Sequence, residues 1–223
     1  MILQGVDQLR VISPAEMERL LRIANIGFIA FYLKSPCQMR TQWTPEDVSA
    51  LNDLGLLSLP IYVGSQTPFY ECATDLSTDT AGEHARDAAA KMEAFGYMPW
   101  REIPCVLDVE AETYTHNPTA TADYAAAWMA ELDRCGYLPT LYGDKWTIAE
   151  VKRQVNHDAQ YWLARWTRQS IDPSITTRGE FTAAGLEVPA GRRLLQYASV
   201  NNYVPMGRGY DFNVCDAELA PAF

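Results

Sequence analysis

The sequence predicts an α/β protein folded as a TIM-like (β/α) barrel, incomplete and irregular because helices are missing from its C-terminal third. Three observations lead to this prediction. Amphipathic helices that end at a glycine alternate with short apolar strands along the chain. Strand candidates reach the number that closes such a barrel. The last two strand candidates are too close in sequence for a crossover helix, so we expect them to pair antiparallel.

The helices are recognised by the residues at their ends. Thr44 with Asp47 predicts a capping box at the start of the second helix, and Thr80 with Glu83 predicts another for the third. The segments "FGYMP" and "CGYLP", which end the third and fourth helices, are near duplicates. Residues 167–192 carry Pro, Gly and Thr and show no helical pattern, so no helix is expected there.

The strand candidates are short, apolar and regularly spaced. They cover 2–7, 28–33, 59–63, a run that begins at Pro104, a run that ends at Tyr142, 161–166, 194–198 and 210–214. A doubly wound open sheet is the alternative, but "GVDQLRVISP" after the first strand lacks the G-x-G-x-x-G of a nucleotide site. The even spread of apolar residues predicts a single barrel domain over residues 1–223.

Composition excludes several functions. A net charge of −10 argues against a nucleic-acid partner. The first residues do not form a signal peptide, and no apolar run approaches the roughly 20 residues that span a bilayer, so membrane insertion is not expected. Zinc-type spacing is absent. The five scattered cysteines predict buried free thiols, with one disulfide left open. His84, on a predicted helix, is expected to face solvent.

The segment "CVLDVEAE" places three carboxylates behind a buried strand. Side chains alternate faces along a strand, so Asp108, Glu110 and Glu112 are predicted to share one face, directed into the barrel at its C-terminal end. Acids two residues apart have Cβ atoms about 6–7 Å apart, given a rise of about 3.3 Å per residue. Such a pair suits glycosidic-bond cleavage, because crowding raises the pKa of one member.

Other strand ends support a sugar-binding cleft. Aromatic rings stack on pyranose faces, and carboxylates and amides hydrogen-bond hydroxyl and acetamido groups. The alternative is that the acids lie in a solvated loop or pair with Arg101 or Arg165. The residues that we expect to bind substrate are Asp7, Tyr62, Tyr142, Trp166, Gln196 and Asp211.

Several motifs together resemble a known family. "GVD", "LDVE", "WLARW", "LLQY" and "DFN", in this order, resemble the Ch-type muramidases of glycoside hydrolase family 25. The spacing is closer to a related group, the Rv2525c-like, glycoside-hydrolase-like domain of unknown function of actinobacteria and their phages. The resemblance covers nearly the whole chain. The pair Arg165–Trp166 departs from the pattern of many muramidases.

The resemblance implies hydrolysis of the β-1,4 bond between N-acetylmuramic acid and N-acetylglucosamine in peptidoglycan. Glu110 then corresponds to the general acid. Asp108 either stabilises the oxocarbenium-like transition state or orients the acetamido group of the substrate. Asp7 and Asp211 support them at the floor of the cleft, and Tyr62, Trp166 and Gln196 correspond to subsite residues. Neither a metal nor an organic cofactor is implied.

Three functions are compatible with these observations. The first is a muramidase-like hydrolase acting at the cell wall, delivered by a phage or carried on a virion beside other virion or lysis proteins. The second is a glycan-binding or structural module that keeps the barrel and has weak or no activity. The third is a barrel hydrolase that acts on a different polysaccharide.

Overall fold

The predicted barrel is confirmed. The computed structural model describes residues 3–66, 75–100, 102–168, 172, 174–203 and 208–216. Within these residues, eight strands close into one barrel in chain order. The strands are β1 (Leu3–Gln8), β2 (Ile26–Tyr32), β3 (Leu57–Val63), β4 (Pro104–Asp108), β5 (Leu138–Gly143), β6 (Gln160–Ala164), β7 (Arg193–Tyr203) and β8 (Arg208–Cys215).

The last strand closes the barrel in the opposite direction. Neighbouring strands from β1 to β7 are parallel. β8 is antiparallel to both β7 and β1. β7 ends at Tyr203 and β8 begins at Arg208, which leaves no room for the crossover helix that a parallel connection needs. The predicted antiparallel pairing of the last strands is therefore confirmed.

The helices form a layer outside the barrel. In the described residues they are α1 (Pro14–Ala24), α2 (Pro45–Asn52), α3 (Thr78–Ala94), α4 (Ala111–His116), α5 (Pro118–Arg134), α6 (Lys145–Gln154) and α7 (Thr177–Ala184). The prediction of no helix in 167–192 is wrong, because α7 lies there. Thr176 caps its N-terminus, Gly185 ends it with a φ of 76°, and buried Phe181 anchors it. Eight residues are too few for a periodic apolar stripe.

One predicted cap is confirmed and one is wrong. Thr44 and Asp47 form the predicted capping box of α2. The N-cap of α3 is Ser77, whose Oγ accepts a hydrogen bond from the Thr80 backbone N–H at 3.2 Å. Thr80 and Glu83 therefore lie inside the helix, which begins three residues earlier than predicted because Ser77 supplies the capping oxygen first.

Two apolar layers surround the strands. A large core fills the space between the barrel and the helices. A smaller cluster fills the barrel itself, so the barrel is packed rather than hollow. This inner packing forms a rigid base below the C-terminal ends of the strands. Its buried members are Phe28, Ala30, Leu59, Ile61, Val106, Tyr142, Trp162, Leu194 and Cys215.

The cysteines agree in part with the predicted buried free thiols, and one of them forms the disulfide that the sequence left open. Cys105, Cys135 and Cys215 form no disulfide, and Cys105 and Cys215 are buried. Cys37, in the segment after β2, is disulfide-bonded, and its partner lies outside the described residues.

Gly5 in β1 makes room for the inner core, since a Cβ atom there would overlap the ring of buried Phe28. We expect Gly5→Ala to lower the free energy of unfolding by about 1–3 kcal/mol, as overpacked cores do. Gly82→Ala in α3 is the matched control, because its Cβ would meet only the tip of Arg86 at 3.4 Å. The control should gain about 0.5–1 kcal/mol. Urea unfolding measures both, and equal effects would contradict the described packing.

Candidate active site

A cavity opens at the C-terminal end of the parallel strands, where barrel enzymes carry their active sites. Its volume is about 100 Å³. Typical ligand pockets measure roughly 300–1,000 Å³, so this cavity admits a sugar substituent rather than a complete ring. The described lining residues are Asp7, Tyr32, Ile61, Val106, Asp108, Glu110, Tyr142, Trp162, Trp166, Gln196 and Asp211.

The predicted acid pair lies in this cavity. Asp108 is the last residue of β4, and the backbone stays extended through Glu110, with φ −70° and ψ 146°. Alternation therefore continues past the strand, and both acids line the cavity. Val109, between them, is buried in the outer core. The prediction is wrong for Glu112, which is exposed in the first turn of α4 because the helix begins at Ala111.

A second pair of acids comes from the strands that close the barrel. Asp7 on β1 and Asp211 on β8 are direct partners in the antiparallel register. Partners in such a ladder have Cβ atoms roughly 4.5–5.5 Å apart on one face. Both line the same cavity as Asp108 and Glu110. The antiparallel closure thus adds two carboxyl groups to the two that β4 supplies.

Two amides bind the Asp7 carboxylate. Its Oδ2 accepts hydrogen bonds from Gln196 Nε2 at 2.9 Å and from Asn213 Nδ2 at 2.8 Å. Tryptophan N–H groups, which only donate, fix the orientation of both amides. Trp166 Nε1 donates to Gln196 Oε1 at 2.7 Å, and Trp162 Nε1 donates to Asn213 Oδ1 at 3.2 Å. Each NH₂ group must therefore face Asp7.

Burial raises the pKa of all four acids, and the charges of neighbouring acids raise it further for three of them. Burial and the neighbouring charge of Asp211 raise the pKa of Asp7 to about 7, although the Asn213 and Gln196 hydrogen bonds act against this rise. Burial, followed by the charge of Glu110, raises the pKa of Asp108 well above its usual range. Burial also raises the pKa of Glu110 and of Asp211. Carboxylic acids that stay protonated near neutral pH can donate protons.

Among the described residues, the cluster contains a buried oxygen without a hydrogen-bond partner and no lining cation. Asp108 Oδ1 is buried without a hydrogen-bond partner in the part of the chain that the structure describes. No Lys or Arg is among the described lining residues. Arg165, offered above as an alternative partner for the acids, pairs with Glu180 at 3.2 Å. Arg101 lies outside the described residues.

Tyr62 does not reach the cavity, so its predicted role in substrate binding is wrong. Its side chain points outward from β3 and its hydroxyl donates to Asp87 Oδ2 at 2.8 Å. It is fully buried in the outer core, because its position in β3 has the outward parity. His84, expected to face solvent, is instead half-buried, with Nδ1 2.6 Å from the Tyr124 hydroxyl.

The other predicted binding residues lie together. The Tyr142 hydroxyl donates to Gln196 Oε1 at 2.8 Å, the same oxygen that Trp166 contacts. Trp166 is 62% exposed, so its ring remains available at the rim of the cavity. The sequence analysis did not assign Tyr32, although it shares the inward parity of Phe28 in β2. That parity would have identified it.

The described residues contain no group of three or more His, Cys, Asp or Glu side chains that could hold a metal ion. None of the helices in the described ranges is both long enough and apolar enough to cross a membrane.

The raised pKa of Asp7 predicts a pH-dependent stability. The folded-state pKa of about 7 exceeds the ordinary 3.8, so folding binds a proton and stability falls as pH rises from about 4 to about 7. The Asp7→Asn side chain does not titrate, so this loss of stability with rising pH disappears. Its oxygen can still accept hydrogen bonds from both amides. The gain in stability of the variant over wild type should be larger at pH 8 than at pH 4, by up to about 4 kcal/mol. Urea unfolding at both pH values measures this, and an identical difference at the two would contradict it.

Comparisons with solved structures show the same fold at low sequence identity. An uncharacterised B. stearothermophilus protein matches with a TM-score of 0.67 and 17% identity, over 95% of this chain and 94% of that one. A glycosyl hydrolase 25 of Streptococcus pneumoniae matches at 0.60 and 11%, over 98% and 87%. The bacterial lysozyme of Streptomyces coelicolor matches at 0.60 and 14%, over 95% and 90%. No curated protein matches the sequence.

The family is shown by sequence. Residues 19–214 match the model of the Rv2525c-like, glycoside hydrolase-like domain. This match covers most of the chain and confirms the resemblance that the strand-end motifs indicated. The chain belongs to the family of Rv2525c-like, glycoside hydrolase-like domains.

Proposed function

We propose that this protein is a muramidase-like glycoside hydrolase that cleaves a β-1,4 glycosidic bond of peptidoglycan. The observation that carries the proposal is the acid pair Asp108 and Glu110, which line one buried cavity and have raised pKa values. A carboxylic acid that stays protonated beside a second carboxyl group is the arrangement that glycosidases use. The family and the glycosidase neighbours support the same reaction class.

Glu110 acts as the general acid. It occupies the N-cap position of α4, but its side chain makes no capping hydrogen bond. Burial raises its pKa first, and the charges of Glu112 and Asp211 raise it further. The protonated carboxyl can therefore donate to the glycosidic oxygen as the bond to the leaving sugar breaks.

Asp108 orients the acetamido group of the substrate. Its Oδ1 has no partner among the described residues and lines a cavity sized for a substituent. An acetamido N–H would satisfy this oxygen and turn the acetamido carbonyl towards the anomeric carbon. Asp7 and Asp211 lie side by side, and the ionised member of this pair adds negative charge where the oxocarbenium-like transition state develops positive charge. The small cavity volume favours binding of the acetamido group beside Asp108 over enclosure of a whole sugar ring.

The sugar rings lie across the mouth of the cavity. The exposed ring of Trp166 offers a stacking surface there, and Gln196 and Tyr142 hold polar groups beside it. The disulfide at Cys37 supports action outside a reducing compartment. We propose that the protein hydrolyses peptidoglycan at the cell wall and that a phage lysis system or a virion delivers it there.

Glu110→Gln should abolish most turnover, because the amide keeps the shape of the side chain and cannot donate the proton. We expect a loss of about 10²–10⁴-fold in the release of soluble muropeptides from purified cell walls. Glu102→Gln, an exposed glutamate before the opposite end of β4, is the matched control and should retain full activity.

The products decide between the remaining alternatives. Equal release by wild type and Glu110→Gln would overturn the assigned role of Glu110. Wall binding without release by either protein would contradict the hydrolase and favour a glycan-binding module. Mass spectrometry of the released fragments should show new reducing ends on N-acetylmuramic acid, and different ends would indicate another polysaccharide bond.

A further inference from the structure

Gln66 lies outside the cavity lining and contacts the backbone between the two acids. It follows β3 in the segment "VGSQT" and is 2% exposed. Its Nε2 donates to the Asp108 carbonyl oxygen at 2.8 Å. Its Oε1 accepts from the Glu110 backbone N–H at 3.4 Å and from Thr113 Oγ1 at 2.6 Å. One carboxamide thus holds the carbonyl of the first acid and the amide of the second.

This carboxamide takes the place of a strand residue. The ladder between β3 and β4 ends at the pair Val63 and Asp108. In a parallel ladder, each hydrogen-bonded residue faces one residue of the neighbouring strand. Its N–H donates to the carbonyl of the residue before that one, and its carbonyl accepts from the N–H of the residue after it. Gln66 makes both of these bonds around Val109 with its side chain. The extended backbone of β4 is therefore prolonged to Glu110 after β3 has left the sheet.

The opposite side of the same segment is held by β5. The Val109 N–H donates to the Tyr142 carbonyl oxygen at 3.2 Å. The segment from Asp108 to Glu110 is therefore held on one side by β5 and, beyond the end of the β3 ladder at Asp108, on the other side by Gln66. Removing the Gln66 carboxamide would leave the buried Asp108 carbonyl without this donor.

The loop that carries Gln66 is itself anchored to the helix layer. The Ser65 backbone N–H donates to the Tyr124 hydroxyl at 3.0 Å, and the same hydroxyl lies 2.6 Å from His84 Nδ1. A Cβ atom at Gly64 would overlap the Tyr124 hydroxyl, so the loop packs closely against α5. The position of Gln66 is set by the barrel and the helices together.

We propose that Gln66 is a positioning residue that sets the separation and direction of the Asp108 and Glu110 carboxyl groups. It touches neither substrate nor the reacting atoms and acts through the backbone of the acids. This inference rests on the proposed function, because it assigns to Gln66 the geometry of that acid pair. A misplacement of about 1 Å in a catalytic group can cost about 10²-fold in rate.

The test compares Gln66→Met with Gln160→Met. Both replace a buried glutamine by an apolar side chain of similar length, but Gln160 lies at the start of β6, at the other end of the barrel. Gln66→Met should lower kcat about 10–100-fold with little change in KM, because binding groups stay in place. Its Glu110 amide should exchange with solvent about 10-fold faster than in wild type, measured by NMR. Gln160→Met should change neither quantity.

A milder variant covers the case in which Gln66→Met does not fold. Thr113→Val keeps Gln66 but removes the hydroxyl that holds its Oε1. Thr113→Val should also lower kcat, but by a smaller factor than Gln66→Met.

Each outcome decides the inference. Unchanged exchange at Glu110, or faster exchange with unchanged kcat, would overturn the positioning role while wild-type activity upholds the hydrolase. Wild type without activity would overturn the proposed function and this inference with it.

Discussion

Four carboxyl groups share one cavity, and none of its described lining residues carries a positive charge. This electrostatic constraint shapes the rest of the site. Burial raises the pKa values of these groups and the neighbouring like charges raise them further, which favours the protonated forms. The two amides that face Asp7 lower the cost of its charge, and the two tryptophans behind them fix which way the amides point. Acids without a basic partner among the described lining residues stay available for the contacts that the proposed hydrolysis needs.

The cluster lowers stability, and the surrounding fold tolerates this. A buried oxygen without a hydrogen-bond partner, as Asp108 Oδ1 is within the described part of the chain, costs on the order of 1–3 kcal/mol. Perturbed groups of this kind concentrate at functional sites, where substrate contacts replace what the folded chain leaves unpaired. The barrel offsets the cost with two apolar layers, one inside the strands and one beneath the helices. Its antiparallel closure also matters for the site, because it places Asp211 directly beside Asp7.

The sequence predicted the barrel and most of the acidic and aromatic residues that line the cavity, and it failed where tertiary contacts override local patterns. Strand parity correctly brought Asp108 and Glu110 to one face, because the backbone stays extended between them. It failed for Glu112, because no local pattern showed that a helix starts at Ala111. Tyr62 was misassigned because its parity in β3 was not applied, and α7 was missed because it is short. Gln66 could not have been found from the sequence, since its contacts depend on a loop returning beside β4.

The most direct test of the account is a carboxyl ¹³C NMR titration of the wild-type protein, with Asp7, Asp108, Glu110 and Asp211 assigned by single substitutions. We expect Asp7 to titrate near neutral pH and Asp108, Glu110 and Asp211 to titrate above the range of ordinary exposed carboxyl groups. Four ordinary titrations, each close to that of an exposed acid, would show that the acids do not share a buried cavity and would contradict the account.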